Sequence, residues 1–257
     1  MLQQLELIRT KRPIIQSITN HVTVNDCANI LLAAGASPIM AHHREEVDEV
    51  QRNASGLVIN LGATDDFESI EIAVNTANKL NHPVVLDPVG VTVSTYRRKF
   101  ALELFEKHHI DAVRGNHSEL MSLAYGFGTQ SGLDSSVELD NLSDRKKYIE
   151  VLQSFSEKTK AILVASGETD LVVYKENFAE IKSGDSLMKN VTGMGCMCSN
   201  VLCAFMAVDN SMESAVNAIT FYGDCGKVAA EKTKALGTMA FKEQFINEVS
   251  KKGCLSL

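Results

Sequence analysis

The chain has 257 residues, of which 45% are hydrophobic and 22% charged, and its formal net charge is −7 at pH 7. This composition is typical of a folded α/β protein, and we expect residues 1–257 to form one domain. The negative charge argues against non-specific attraction to nucleic acid, so an anionic substrate would need a local binding site. No apolar run approaches the ~20 residues that span a bilayer, and no signal-peptide pattern opens the chain. We therefore expect a cytoplasmic protein with no membrane partner.

The six cysteines lie mostly in apolar helical stretches and lack the regular spacing of a secreted disulfide framework. We interpret them as reduced thiols. The pair Cys196 and Cys198 has no second ligand pair at the spacing that structural zinc requires. The histidine pairs at 42–43 and 108–109 sit beside charged residues and indicate solvated surface positions rather than metal ligands.

In chain order, hydrophobic periodicity predicts alternating helices and strands. The first half reads as a helix at 2–10, a strand at 14–18, a helix at 22–34, a strand at 37–41, a helix at 44–51, a strand at 57–62 and a helix at 65–80. The second half reads as a strand within 83–90, a helix at 94–107, a strand at 112–114, a helix opened by Asn116, a poorly structured stretch at 125–143, a helix at 145–158, a strand at 161–166, a hairpin at 171–174 and 178–181, and helices from 196 onward.

Continuous apolar strands separated by amphipathic helices predict a mostly parallel sheet that is covered on both faces. In such a sheet, ligands bind beyond the carboxyl ends of the strands. The polar residues that follow the apolar runs are therefore the candidate site: Asn20, Asn60, Asp87, Arg114, Asn116, Glu119 and Ser166.

Two acidic residues in this set suit magnesium, because Mg²⁺ prefers oxygen ligands and keeps several waters beside nucleotide phosphates. They are Asp87, which Pro88 follows, and Glu119. Asn116 and Glu119 are also what an ordinary helix N-cap with an acidic third residue looks like. Arg114, at the end of a strand, is favourably placed for a phosphate contact.

The segment from Gly193 to Cys196 precedes a long apolar helix and predicts an anion cradle. Two glycines permit a tight turn whose amide groups converge, and the helix dipole adds positive potential there. Gly-x-Gly before a helix is also a frequent turn without a ligand. Cys196 would occupy the first helical turn, where the dipole and a bound cationic partner favour thiolate.

These residues resemble the ribokinase-like superfamily of small-molecule kinases, which combine Asn-x-x-Glu, here Asn116 to Glu119, with a late Gly-x-Gly at a helix start. That superfamily usually places an aspartate base where this chain has Cys196. Thr-Gly-x-Gly-Cys is instead similar to the hydroxyethylthiazole kinases of thiamin salvage. The resemblance spans about 14–230 and includes Ser17 to Val22, Gly35 to Pro38 and Asp87 to Gly90. Met194 and Ser166 depart from residues more common in that family.

The resemblance implies a three-layer α/β/α ribokinase-like fold and transfer of the ATP γ-phosphoryl group to the primary hydroxyl of 4-methyl-5-(2-hydroxyethyl)thiazole. It implies a homotrimer with sites at subunit contacts. The residues then take roles as a set: Gly193, Gly195 and Cys196 act at the transferring group, Met40, Gly193 and Asn25 border the thiazole, Arg114 and Ser166 contact ATP, and Asp87 and Glu119 hold Mg²⁺.

Four alternatives remain open on sequence alone. One is a sister kinase for hydroxymethylpyrimidine or pyridoxal, and another is a nucleotide-dependent dehydratase of hydrated nicotinamide nucleotides on the same fold. A hydrolase with Cys196 as covalent nucleophile and a histidine base is the third. A pure nucleotide-binding regulator is the fourth, but it would not need so large a set of polar strand-end residues.

Overall fold

A computed structural model describes residues 1–63, 67–128 and 142–252. The strands are β1 Ile14–Ile18, β2 Ser37–Ile39, β3 Gly56–Asn60, β4 Val84–Asp87, β5 Ala112–Asn116, β6 Ile162–Ser166, β7 Asp170–Tyr174 and β8 Asn177–Ile181. The helices are α1 Leu2–Lys11, α2 Val24–Ala34, α3 Val47–Asn53, α4 Phe67–Leu80, α5 Thr95–Lys107, α6 His117–Gly126, α7 Leu142–Thr159, α8 Met194–Met206, α9 Met212–Thr233 and α10 Thr238–Lys252. A short 3-10 helix, Ser186–Asn190, precedes α8.

The strands form one eight-stranded sheet in the order β2-β1-β3-β4-β5-β6-β7-β8. Neighbours from β2 to β6 pair in parallel, whereas β7 and β8 pair antiparallel. The burial of the strands matches their directions. Every residue of β3 is buried, as both faces of a parallel sheet require, but most of β8 is exposed, as an antiparallel edge strand tolerates. The predicted α/β fold with a mostly parallel sheet is confirmed.

Two hydrophobic cores lie on the two faces of the sheet, because successive strand side chains point in opposite directions. In β3, Val58 faces the core that α1, α2, α8, α9 and α10 cover. Its neighbours Leu57 and Ile59 face the core that α3 to α7 cover. Helix, sheet and helix therefore form three layers, as the ribokinase-like resemblance implies.

Two predicted boundaries shift for identifiable reasons. The strand predicted within 83–90 ends at Asp87, since Pro88 has no amide hydrogen for the ladder. The helix predicted from Cys196 begins earlier, at Met194, and Gly193, with a left-handed φ of 89° that glycine tolerates, is its N-cap. Cys196 accordingly lies in the first turn of α8, as predicted.

Most of the stretch predicted to be poorly structured, 125–143, lies outside the described residues, although α6 continues to Gly126 and α7 starts at Leu142. The predicted hairpin is present as β7 and β8. Within the described part of the chain, no helix is both long and apolar enough to cross a membrane.

Candidate active site

The carboxyl ends of neighbouring strands bring the predicted polar residues together. Asn60 and Asp87 are register partners at the ends of β3 and β4, and their side chains are joined by a 2.8 Å hydrogen bond from Asn60 Nδ2 to Asp87 Oδ2. Asn20, just after β1, donates from Nδ2 to Asn60 Oδ1 at 3.1 Å. On β5 and β6, Arg114 Nη2 donates to Ser166 Oγ at 2.8 Å. Parallel strands thus align side chains from distant parts of the sequence along one edge.

The first turn of α8 crosses this edge and has the properties of an anion cradle. Gly193 caps the helix without any side-chain hydrogen bond to the first-turn amides. The N–H groups of residues 194–196 have no acceptor within the helix, and the helix dipole concentrates positive potential around them. A phosphate group is the ligand that this geometry suits.

Glycine suits both positions of the cradle, because Gly193 has a left-handed φ of 89° and a Cβ atom on either residue would lie close to a neighbouring side chain. A Cβ atom on Gly195 would lie 2.5 Å from Arg114 Nη1, and one on Gly193 would lie 3.1 Å from Asp26 Oδ2. Arg114 therefore places its guanidinium directly against the cradle. Burial alone would lower the pKa of Arg114, but electrostatic interactions with Cys198 and with Asp87 outweigh the effect of burial. The pKa of Arg114 is therefore raised.

Cys196 lies beside the two asparagines at this edge. Asn60 Nδ2 is 3.2 Å and Asn20 Nδ2 is 3.6 Å from its sulfur. Burial raises the pKa of the Cys196 thiol and the charge of Asp87 raises it further, while hydrogen bonds from the surrounding side chains and the Arg114 charge lower it. The prediction that its position favours thiolate is therefore wrong for the protein without ligands, because desolvation outweighs the donors.

Asp87 is the buried acid of the site, with 1% of its surface exposed. Its Oδ2 also accepts a 3.0 Å hydrogen bond from Ser199 Oγ on α8. Burial raises the Asp87 pKa to about 6; the Arg114 charge lowers it, and the Glu119 charge raises it. The carboxylate is still ionised at neutral pH, but at an energetic cost that a nearby cation would relieve.

Glu119 occupies a capping box at the start of α6. Its Oε2 accepts from the Asn116 amide at 2.9 Å, and Asn116 Oδ1 accepts from the Glu119 amide at 2.9 Å. Its Oε1 accepts a 3.2 Å bond from the Gly90 amide in the loop after β4. The helix N-cap that Asn-x-x-Glu also predicts is thus present. It holds the Glu119 carboxylate close enough to Asp87 for their negative charges to repel.

A cavity of about 800 Å³ opens beside Arg114 and the cradle, with Ser166 on its wall. Several of its lining residues belong to no motif in the sequence: Asp170 at the start of β7, Met188 in the 3-10 helix, and Ile219 and Tyr222 on α9. Tyr222 donates from its buried hydroxyl to the Met194 carbonyl at 2.6 Å and so anchors the cradle. An apolar helical pattern predicts only that Tyr222 is buried, since the partner lies 28 residues earlier.

Met40 and Asn25 do not line this cavity. Asn25 is exposed on the first turn of α2, where its Oδ1 accepts from Asn29 Nδ2 at 2.9 Å. Met40 is half-buried after β2, the edge strand beside β1. Cys198 is buried, and burial raises its pKa to about 12. Among the described residues, no group of three or more His, Cys, Asp or Glu side chains is placed to hold a metal ion.

Known proteins resemble this chain along nearly its whole length. Residues 5–252 match the model of the hydroxyethylthiazole kinase family. Hydroxyethylthiazole kinase of Clostridium tetani is 40% identical over 245 residues, which cover 94% of this chain and 89% of that protein. The solved structure of the hydroxyethylthiazole kinase protein from Pyrococcus horikoshii OT3 superposes with a TM-score of 0.87 at 28% identity and covers 100% of this chain and 96% of that one.

A ribokinase-like superfamily protein from Enterococcus faecalis V583 has the same fold, with a TM-score of 0.63 at 13% identity over 98% of this chain and 94% of that one. The family model spans nearly the whole chain, and the identity with the Clostridium tetani enzyme extends over most of both proteins. The chain therefore belongs to the hydroxyethylthiazole kinase family.

Proposed function

We propose that the protein transfers the γ-phosphoryl group of ATP to the primary hydroxyl of 4-methyl-5-(2-hydroxyethyl)thiazole, giving the thiazole phosphate used in thiamin biosynthesis and salvage. The observation that carries this proposal is the first turn of α8. It combines open backbone amides, the Arg114 guanidinium 2.5 Å from where a Gly195 Cβ would lie, and the Cys196 side chain. One small volume thereby offers an anion hole, a cation and a hydrogen-bond acceptor.

The cradle suits phosphoryl transfer, because the loose transition state carries charge on its equatorial oxygens and depends on positioning and electrostatic stabilisation. The amides of Met194 to Cys196 would hold the transferring group. Cys196 would lie against the acceptor hydroxyl as a weak base or hydrogen-bond acceptor. Such chemistry places little demand on a strong base, so a cysteine can stand where related kinases have aspartate.

ATP would occupy the cavity beside the cradle, with Arg114 and Ser166 as contacts. Its volume of about 800 Å³ falls in the range of roughly 300–1,000 Å³ that small-molecule and cofactor sites occupy. The Arg114 side chain is oriented by its hydrogen bond to Ser166 Oγ. Arg114 can therefore meet a phosphate oxygen without first losing side-chain freedom.

Asp87 and Glu119 would hold Mg²⁺. The donor set fits, because both are hard oxygen ligands, their charges repel, and burial leaves Asp87 with a raised pKa. When bound, the metal ion would neutralise charge on the nucleotide phosphates. The two side chains themselves set where that positive charge can sit: Asp87 at the end of β4 and Glu119 at the start of α6.

We include Met40, Gly193 and Asn25 as neighbours of the thiazole at a contact between subunits of a homotrimer. Support comes from the exposure of Asn25 and from the position of both Met40 and Asn25 outside the cavity of a single chain. The proposal also takes residues 1–257 as one domain that acts in the cytoplasm.

The test is ADP production by the purified protein with Mg²⁺ and ATP. Hydroxyethylthiazole, hydroxymethylpyrimidine, pyridoxal and no acceptor are compared. Thiazole-dependent ADP is expected, with thiazole phosphate identified by mass. ADP that depends on another acceptor would overturn the substrate assignment, and nucleotide hydrolysis without a phosphorylated acceptor would overturn the kinase reaction.

A further inference from the structure

Two asparagine amides and the Thr23 side chain lie around the Cys196 sulfur. Asn60 Nδ2 lies 3.2 Å and Asn20 Nδ2 lies 3.6 Å from Sγ. An amide nitrogen is only a donor, so the sulfur is the acceptor in both contacts. The thiol hydrogen must then point away from both asparagines.

The Asn60 amide is saturated with hydrogen bonds, which fixes its orientation. Its Nδ2 donates to Asp87 Oδ2 at 2.8 Å as well as to Cys196. Its Oδ1 accepts from Asn20 Nδ2 at 3.1 Å and from the Gly62 amide at 2.9 Å. A flipped amide would set oxygen against the carboxylate and N–H against two donors, which makes that orientation unfavourable. Asn60 is also 1% exposed, so water cannot replace these partners.

Asn20 is held in the same way and supports the arrangement from the other side. Its Oδ1 accepts from the Thr23 amide at 3.1 Å and from Thr23 Oγ1 at 3.2 Å. Both of its donors are directed at Asn60 Oδ1 and the Cys196 sulfur. The end of β1, the end of β3 and the first turn of α8 are thereby joined through side chains alone.

We propose that Asn60 is a positioning residue for phosphoryl transfer: its locked amide holds the Cys196 sulfur as a hydrogen-bond acceptor and ties that sulfur to the Asp87 carboxylate. Asn60 does not line the cavity proposed for ATP. This inference rests on the proposed kinase function. It adds a residue outside the cradle and the nucleotide cavity, and it assigns to Asn60 an effect on turnover rather than on ATP binding.

Ser199 provides a matched control, because it supports the same carboxylate without reaching Cys196. Its hydroxyl lies 3.0 Å from Asp87 Oδ2 and 3.3 Å from the Gly195 carbonyl, and like Asn60 it is buried. If Asn60 acts only by supporting Asp87, kcat should fall in both Asn60→Leu and Ser199→Ala. A decrease in kcat that arises from a displaced Cys196 sulfur should occur only in Asn60→Leu.

The experiment measures kcat and the KM values in wild type and in a Cys196→Ala background, with each of the two substitutions added. Asn60→Leu is expected to lower kcat about 10- to 100-fold in wild type, with the KM for ATP changed less than about threefold. In the Cys196→Ala background, its effect on kcat should shrink at least about fivefold, because the partner it positions is gone. Ser199→Ala should lower kcat by the same factor in both backgrounds.

Equal Asn60→Leu effects in the two backgrounds would overturn the proposal, since the asparagine would then act independently of Cys196. If Asn60→Leu does not fold, Asn60→Ser takes its place, because its shorter side chain removes the amide that contacts the sulfur and keeps a polar hydroxyl at this position. Thermal unfolding of every variant separates a loss of folded protein from a loss of turnover.

Crystal structures of the ligand-free variants test the inference without relying on activity. Cys196 is expected to change its χ1 rotamer in Asn60→Leu and to keep it in Ser199→Ala. An unmoved sulfur in Asn60→Leu would overturn the positioning role even in an active enzyme. Conversely, a wild-type protein that does not phosphorylate the thiazole alcohol would overturn the proposed function, while the rotamer comparison would still decide the role of Asn60.

Discussion

Two aspartates at opposite edges of the sheet are both shielded from water, yet their pKa values move in opposite directions. At the carboxyl edge, burial raises the Asp87 pKa to about 6 despite the donors Ser199 and Asn60. At the amino edge, burial acts on Asp111 too, but hydrogen bonds from His109, Asn210 and the Val84 amide outweigh it and lower the pKa. The Asp111 carboxylate is thus fully supplied with donors, whereas the Asp87 carboxylate is not.

The difference separates a structural carboxylate from one suited to chemistry. Asp111 accepts at 2.9 Å from the Val84 amide, where β4 begins, and at 2.6 Å from Asn210 Nδ2, before α9, so it fastens helix to sheet. Asp87 lies beside Arg114 and repels Glu119. A buried acid whose charge is poorly compensated, next to an anion cradle, is a typical feature of an active site.

The largest effect should come from removing the Asp87 charge. Asp87→Asn is expected to lower kcat/KM about 100-fold or more, since it removes a carboxylate proposed to hold Mg²⁺. The same change should stabilise the fold at neutral pH. A raised pKa means that wild-type Asp87 contributes stability at low pH and loses it as pH rises through about 6. Steady-state kinetics and thermal unfolding at pH 4.5 and pH 8 measure both effects.

The control for this prediction is Asp111→Asn, which should retain activity per folded molecule. Unfolding temperatures should show Asp87→Asn gaining on wild type at pH 8 relative to pH 4.5. If Asp87→Asn keeps full activity with an unchanged magnesium requirement, the two aspartates do not differ in the way proposed.

The next effect concerns Cys196. Cys196→Ala should lower kcat about 10- to 100-fold, because it removes the sulfur proposed to accept a hydrogen bond from the substrate hydroxyl. Cys196→Asp should keep or raise turnover, since a carboxylate is ionised at neutral pH and can receive the same donors from Asn20 and Asn60. Kinetics of the two variants at pH 7.5 make the comparison. Complete inactivity of a folded Cys196→Asp variant would contradict the weak-base role.

Sequence reasoning located most of this edge for one physical reason. Asn60, Asp87, Arg114 and Ser166 each stand at or near the end of an apolar run, and parallel strands place such ends together. The order of the helices and strands followed from periodicity in the same way. The residue type also predicted some special backbone conformations, such as the tight turn at Gly193 before α8.

What the sequence could not supply were contacts between distant segments and the balance of opposing electrostatic effects. Ser199 hydrogen-bonds to Asp87, which lies 112 residues earlier in the sequence, and no local sequence pattern predicts that contact. The expectation of a thiolate at Cys196 was wrong, because burial and the Asp87 charge raise the Cys196 pKa more than the surrounding hydrogen-bond donors lower it. The contacts of Met40 and Asn25 remain a prediction, because they depend on a subunit arrangement that lies beyond one chain.

A smaller effect, on stability alone, should follow Asp111→Asn. The lost charge weakens the hydrogen bonds from Val84 and Asn210, and we expect a cost of about 1–3 kcal/mol. For a chain of this size that lowers the unfolding temperature by roughly 2–4 °C per kcal/mol. Because the Asp111 pKa is lowered, its contribution is present at neutral pH and is lost as pH falls. A destabilisation that grew towards acidic pH would contradict this assignment.

The smallest effect should come from His109, which pairs with Asp111 at 3.3 Å while 55% of its side chain is exposed. The hydrogen bond to Asp111 raises the His109 pKa above its ordinary value near 6.5. Its stabilising contribution is therefore present below that value and is lost as pH rises through the raised pKa. Solvent screening limits such an exposed pair to less than about 1 kcal/mol.

His109→Gln should accordingly lower the unfolding temperature slightly at pH 6 and leave it unchanged at pH 9. His43→Gln, on the exposed loop before α3, serves as the control, since His43 makes no ion pair within the described residues. A His109 effect of equal size at both pH values would mean that the imidazole acts through packing rather than charge. The low Asp111 pKa would then depend on Val84 and Asn210 alone, and the contrast with Asp87 would reduce to a difference in neutral donors.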